Sequence, residues 1–312
     1  MDPVLSLPYG LIITYCSMLY HTLAYLPRNK QSSGCGTLIT SIDVDVGNRA
    51  IGRINNGRND RNVHDRLNEY TIGLGEELSV PVLVDMFEEL EMPVTFALRG
   101  QLIDNDPSLI RRLLKSRVRF DIGAHGYYHK EFRKLSRREA ELELKMISAS
   151  MKVFDLAPRS FVFPRNSVAH LDLIRKYGYL CYRGKGGFVR DGTYIRKVEG
   201  LYDVHPSLFI TRHAILNCLK RILDECIQGG RPLHVWFHPK DLGLNSSSIQ
   251  YANRTVFRPF FEYADKKRQE GALKVETMAS MATKAENSEK LCSTSEHVDP
   301  SKSSSQLNRV RT

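Results

Sequence analysis

The stretch FDIGAHGYYHKEF, residues 120 to 132, opens like a strand and ends like a polar loop. Apolar residues suited to a buried strand run up to Gly123, and His125 and His129 then follow four positions apart. A short run that hands over at once to ligand-capable side chains suits a parallel strand whose C-terminal end faces a site. This run, RVRFDIG (117 to 123), is one of seven. The others are TLITSIDV (37 to 44), PVTFAL (93 to 98), SFVFP (160 to 164), YLCYR (179 to 183), EGLYDV (199 to 204) and PLHVWFH (232 to 238). Between about residues 36 and 282 they alternate with helical patterns, which predicts βα units and a mainly parallel sheet.

The helical segments carry readable ends. Val80, Leu83, Val84, Phe87 and Leu90 recur at helical spacing after Ser79, which is read as a cap, and Asp106-Pro107 supplies a cap and a first-turn proline. Ser136 and Glu139 have capping-box spacing, while Gly178 and Gly229-Gly230 stand where helices stop. Residues 48 to 70 lack any such pattern and read as a long loop.

A chain of 312 residues, 42% hydrophobic, has room for one large domain with tails. Residues 1–35 are read as an apolar N-terminal segment and linker, 36–282 as a barrel and 283–312 as a disordered polar tail, Ser-rich and without apolar periodicity. The formal charge of +10 is spread over helices such as SLIRRLLKS and LSRREAELELKM, interleaved with acids, so solvated helix faces explain it and no nucleic-acid partner is expected. Six cysteines without a C-x-x-C or dense spacing suggest neither a zinc ribbon nor a disulfide framework, and read as reduced, mostly structural thiols. Residues 3–26 are apolar, but Pro8, His21 and three tyrosines make a poor hydrocarbon span. We expect this segment to pack on the domain or lie on a membrane surface, with the main domain cytoplasmic. Nothing in the sequence speaks to oligomeric state.

In a parallel α/β barrel the loops after the strands converge on one opening. Asp43 and Asp45 end the first run, His125 and His129 follow the third, and Arg165-Asn166 end the fourth. Tyr182-Arg183 end the fifth and His238 the seventh, so the unusual polar residues share one face. Each alone has an ordinary explanation as a cap, a surface residue or a core histidine. Together, two imidazoles one helical turn apart and a carboxylate from another strand end can grip one cation and leave a position for water. Buried without a partner, such a set would cost several kcal/mol, so a metal accounts for it better than packing.

These same residues resemble the polysaccharide deacetylase family, the NodB-homology fold of carbohydrate esterase group 4. SIDVDVG is similar to a spaced form of its first motif, HGYYH to its H-[ST]-x-x-H with Gly126 in place of the hydroxyl residue, and HVWFHP to its last. FVFPRN occupies the place of its R-x-P motif, with Val162 where the arginine would stand. The resemblance implies a distorted seven-stranded (β/α) barrel and metal-dependent removal of an acyl group, acetyl above all, from the amide nitrogen of an N-acetylated sugar or glycan. It implies Asp45, His125 and His129 as ligands of a divalent metal such as Zn2+, Asp43 as general base and His238 as general acid. Arg165 or Arg183 would steady Asp43, and Asp203 is the candidate acidic partner of His238. Tyr127, Tyr128, Asn166, Tyr182 and Arg183 are candidate substrate contacts, and Trp236 is either a further one or barrel packing. Two other readings stay open: the same site hydrolysing a small cyclic amide or ureide, and a catalytically silent carbohydrate-binding barrel.

Overall fold

The computed structural model describes residues 34–45, 77–184 and 194–295. The apolar segment 3–26 and the long loop 48–70 lie outside the described residues. Among the described residues no helix is long and apolar enough to cross a membrane.

All seven expected runs lie in one curled sheet. They are β1 (Gly36–Val44), β2 (Thr95–Leu98), β3 (Asp121–Ala124), β4 (Ser160–Val162), β5 (Cys181–Arg183), β7 (Leu201–Val204) and β9 (Pro232–Phe237). Three further strands were not expected: β6 (Ile195–Val198), β8 (Leu208–Phe209) and β10 (Leu273–Glu276). The strand order is β6-β7-β5-β4-β3-β2-β1-β9-β8, with β10 also pairing β1. Every pairing is parallel except β6 with β7, which turn at Glu199-Gly200, both with positive φ. The sheet is therefore curled and mainly parallel, as the alternation of strands and helices predicts. On the long first strand, Gly36–Ile39 pair with β10, and Ser41–Val44 pair with β2 on the same edge.

Helices cover the outside of this sheet. They are α1 (77–89), α2 (Gly100–Asn105), α3 (Pro107–Lys115), α4 (Arg137–Lys152), α5 (Leu171–Lys176), α6 (Leu216–Gln228), α7 (Ser246–Ala252), α8 (Arg258–Gln269) and α9 (Met278–Ser295). Asp106 caps α3 through the Ser108 N–H, and Ser136 with Glu139 forms the capping box of α4. Gly178 follows α5 at φ +86. Two expectations are corrected. Ser79 lies inside α1, buried, rather than capping it. The stretch read as a tail from 283 instead continues α9 to Ser295, because Met278 and Ala282 pack into the barrel floor and Met281 and Ala285 against it. Residues 296–312 lie outside the described residues.

Side-chain alternation along the strands sorts the interior. Leu38, Ile42, Phe96, Leu98 and Phe161 join the layer under the helices. Ile39, Ala97, Val162, Cys181 and Tyr202 form a second apolar cluster with Met278 and Ala282. Ser41 and Asp43 continue the Ile39 side of β1, so that face passes from apolar to polar toward the C-terminal ends of the strands.

Candidate active site

The polar face ends in a cavity of about 320 Å3 lined by Asp43, Asp45, His125, His129, Arg165, Asn166, Arg183, Trp236, His238 and Lys240. The strand-end residues singled out by sequence thus meet, apart from Tyr182, which faces elsewhere.

Asp43 and Asp45 stand two residues apart, at and just beyond the end of β1, and are almost wholly buried. Arg183, at the end of β5, grips Asp43 with both terminal nitrogens, Nη1 to Oδ1 at 2.6 Å and Nη2 to Oδ2 at 2.5 Å. Its Nη1 also donates to Ser41 Oγ at 3.1 Å, and its guanidinium lies 4.4 Å from the centre of the Trp236 ring. Burial opposes ionisation of Asp43, but the Arg183 charge, then His125, the Arg183 hydrogen bonds and His238, hold its carboxyl below the ordinary 3.8. Of the two arginines proposed for this duty, Arg183 performs it. Arg165 sits on a left-handed turn at φ 54, its side chain is 69% exposed, and its ion-pair contact is Glu131 at 3.9 Å.

His125 Nδ1 lies 2.8 Å from the Val162 carbonyl oxygen, which can only accept, so Nδ1 carries the proton and Nε2 keeps a lone pair. His129 Nε2 is 3.4 Å from Asp45 Oδ2. Burial lowers the pKa of both imidazoles, and with the neighbouring His125 it pushes His129 down to about 3. Donor atoms of Asp45, His125 and His129 all lie within 4.8 Å of one another. Two neutral imidazoles and a buried carboxylate at this separation form a donor set that fits a divalent ion such as zinc. Lys240 Nζ also reaches Asp45, 3.1 Å from Oδ1 and 3.3 Å from Oδ2.

The loop between the histidines is held by residues that sequence reasoning missed. Glu143, on α4 and 2% exposed, accepts from the Tyr127 and Tyr128 N–H groups with the same oxygen, each at 2.8 Å. Arg99 donates to the Tyr127 and Tyr128 carbonyls and, at 3.0 Å, to the Asp45 carbonyl. Gly126 has φ +67, and a Cβ there would come within 3.2 Å of Pro164. Glycine suits that backbone, and with no hydroxyl at this position the loop is held by Glu143.

His238 Nε2 lies 4.0 Å from Asp43 Oδ2 and 3.9 Å from Asp45 Oδ2. Its Nδ1 faces Asp241 Oδ2 at 2.9 Å, and that oxygen also accepts from the His238 N–H at 2.7 Å. The acidic partner is therefore Asp241, three residues on. Asp203 instead accepts from the Gly184 N–H and from Arg196. Burial alone would lower the pKa of His238, yet Asp241 raises it above 6.5. Behind the site, Ser41 joins Arg183 to a buried His234, whose Nε2 is 2.9 Å from Ser41 Oγ.

Among the candidate substrate contacts, Asn166 and Arg183 line the cavity, as does Trp236, whereas Tyr127, Tyr128 and Tyr182 do not. The Tyr127 hydroxyl donates to Asp104 at 2.7 Å, Tyr128 stacks edge-on against Tyr127, and Tyr182 is 3% exposed beside Phe163.

Residues 62–181 match the model of the polysaccharide deacetylase family. No curated protein sequence matches the chain. Among solved structures, a Mycobacterium smegmatis protein assigned as a polysaccharide deacetylase aligns with TM-score 0.60 at 16% identity, covering 84% of this chain and 94% of that one. Puue allantoinase aligns with TM-score 0.57 at 12% identity over 83% and 93% of the two chains. A Pseudomonas aeruginosa PAO1 protein, also assigned as a polysaccharide deacetylase, gives 0.54 at 11% over 79% and 89%. At these identities the structural likeness speaks for the fold, while the family match is to the sequence itself, across the segment that contains His125 and His129. Residues 62–181 thus resemble the polysaccharide deacetylase family in sequence, and the chain shares the fold of solved structures assigned to it.

Proposed function

We propose that the protein is a metal-dependent hydrolase that removes an acyl group, acetyl above all, from the amide nitrogen of an N-acetylated sugar or glycan. The observation that carries this reading is the convergence of the Asp45, His125 and His129 donors within 4.8 Å, beside Asp43 and His238. Asp45, His125 and His129 would hold a divalent ion, with zinc the best match to two imidazoles and one carboxylate. Such an ion, when bound, polarises an amide carbonyl and makes a nearby water more acidic.

The remaining chemistry belongs to the chain. Asp43 stays ionised because Arg183 compensates its burial, and as base it takes the proton of the attacking water. A carboxylate held low is a weak base, so what the arginine secures is charge state and aim rather than proton affinity. His238 gives a proton from Nε2 to the departing nitrogen, since Asp241 accepts the Nδ1–H hydrogen bond and favours the protonated ring. Trp236, packed against Arg183, and Asn166 with its amide line the space that the substrate would enter. The pairing of a base with Arg183 and of an acid with Asp241 favours an enzyme over a silent binder, which needs neither arrangement.

The test is acetate release by the purified chain, with metal analysis alongside, from chitooligosaccharides and peptidoglycan fragments, with allantoin as the small-amide arm. His125→Ala is expected to lose the metal, whereas Asp43→Asn and His238→Ala keep it and lose turnover. Full metal content and activity in His125→Ala would overturn the assignment. Turnover of allantoin alone would move the substrate to the small ureides.

A further inference from the structure

The arginine that serves the base is itself directed by a chain of hydrogen bonds through the barrel interior. Arg183 spends its terminal hydrogens on both oxygens of Asp43, on Ser41 Oγ at 3.1 Å and, more loosely, on Asn166 Oδ1 at 3.4 Å. Its Nε has no partner among the described residues, so these terminal contacts and the Trp236 face direct the guanidinium. Apart from Asp43 itself, Ser41 is the one hydrogen-bond partner of this group that is wholly buried.

Every proton along the chain behind Ser41 has a fixed place. The Val204 carbonyl can only accept, so His234 Nδ1, 3.2 Å away, carries the ring hydrogen. Burial, then the Arg183 charge, push the pKa of His234 down to about 3, so the ring is neutral and Nε2 keeps a lone pair. Ser41 Oγ, 2.9 Å from Nε2, therefore donates to it and turns its own lone pairs to Arg183 Nη1. Without that acceptor the hydroxyl is a rotor whose hydrogen can point at the arginine instead. Val204, His234, Ser41 and Arg183 belong to β7, β9, β1 and β5, and neither β7 and β9 nor β1 and β5 are neighbours in the sheet. The chain thus crosses the interior instead of following the strands. Apolar side chains would fill the same space without the cost of burying polar groups.

We infer that His234 and Ser41 are positioning residues for the base: the imidazole sets the direction of the Ser41 hydroxyl, and the hydroxyl seats Arg183 so that both terminal nitrogens meet Asp43. Neither residue lines the cavity, so each acts through the arginine and not on the substrate. The inference rests on the hydrolase reading for what Asp43 does, while the link from His234 to Arg183 is read without turnover.

Nuclear magnetic resonance spectra of the full chain carrying isotope-labelled arginine read that link, with the Arg183 signals assigned by their loss in Arg183→Lys. Hindered rotation of the guanidinium should give Arg183 separate Nη hydrogen signals. His234→Leu removes no hydrogen bond of Arg183, yet it is expected to shift or merge those signals, as is Ser41→Ala. In the zinc-loaded chain, with acetate release as the assay, both variants should lose about 10- to 100-fold in kcat, with KM and metal content unchanged. His234→Gln places an amide oxygen near the position of Nε2 and should return most of that loss. Unmoved Arg183 signals in His234→Leu or an unchanged kcat would overturn the inference. Equal losses in the Leu and Gln variants would overturn it too, since the ring would then only fill space. Should His234→Leu not fold, Ser41→Ala, smaller by one oxygen, carries the same kinetic test. If Arg183 responds but the unaltered chain releases acetate from no substrate, the link holds and the hydrolase reading falls. Turnover with an unresponsive Arg183 would do the reverse.

Discussion

His238 derives its proposed role from a neighbour three residues away. Asp241 raises its pKa above 6.5 despite burial, so the ring stays protonated to a higher pH than a free imidazole. As general acid it works below that pKa, and activity should fall as the pH rises through it. Asp241→Asn removes the raising charge, so the alkaline limb of kcat/KM is expected to move to lower pH, which a pH–rate profile reads directly. Arg183 invites a different test, because Asp43 is 2% exposed and would be left charged without its partner. Arg183→Met is expected to cost about 3–5 kcal/mol of stability, and Arg165→Met, at an exposed position, less than about 0.5 kcal/mol, both by denaturant unfolding. Asp43, Asp45, His125, His129 and His238 are legible in sequence because each ends a strand pattern or follows one closely. Which arginine serves Asp43 is not, since both candidates stand at strand ends and only the structure shows Arg165, on its left-handed backbone, pairing with Glu131 instead. Asp241 was within reach of sequence reasoning, as the D of HPKD has the spacing of a cap.

At the scale of elements, the loop joining β3 to α4 is set by one buried acid. Glu143 accepts two backbone N–H bonds at 2.8 Å, from Tyr127 and Tyr128, and thereby fixes the span between the two histidines. Glu143→Ala is expected to weaken metal affinity about 10- to 100-fold, the range typical for groups that orient ligands from behind, as measured by competition with a chelator. Gly126→Ala should act through the backbone, costing about 1–2 kcal/mol for the left-handed conformation in addition to the contact with Pro164. Sequence pattern cannot announce Glu143, because a glutamate on an amphipathic helix resembles any solvated one until the loop packs over it. Length and charge likewise hid three strands. In β6, an edge strand, Arg196 and Lys197 are both exposed, while β8 has two residues and β10 four, too few for a period to show.

Across the whole molecule, the barrel has a polar end that carries the site and an opposite end closed by α9. One carboxylate fastens that floor. Asp121 Oδ2 accepts from Thr95 Oγ1 at 2.9 Å, from Ser160 Oγ at 2.6 Å and from the Ala279 N–H at 3.2 Å, which ties β2, β3 and β4 to the first turn of α9. Burial outweighs these three donors and raises the Asp121 pKa above 3.8. The folded chain therefore retains this proton to a higher pH than the unfolded chain does. Between the ordinary value and the raised one the folded state binds more protons, so this group's contribution to stability declines as the pH rises through that window and stays low above it. Asp121→Asn keeps an acceptor for part of the network and removes the ionisation. Relative to the unaltered protein it is expected to gain melting temperature as the pH rises through the window, while the barrel and its metal affinity remain intact. Thermal unfolding of both proteins across acidic to neutral pH measures the difference, and a difference that does not vary with pH would show that Asp121 is not the group that titrates there.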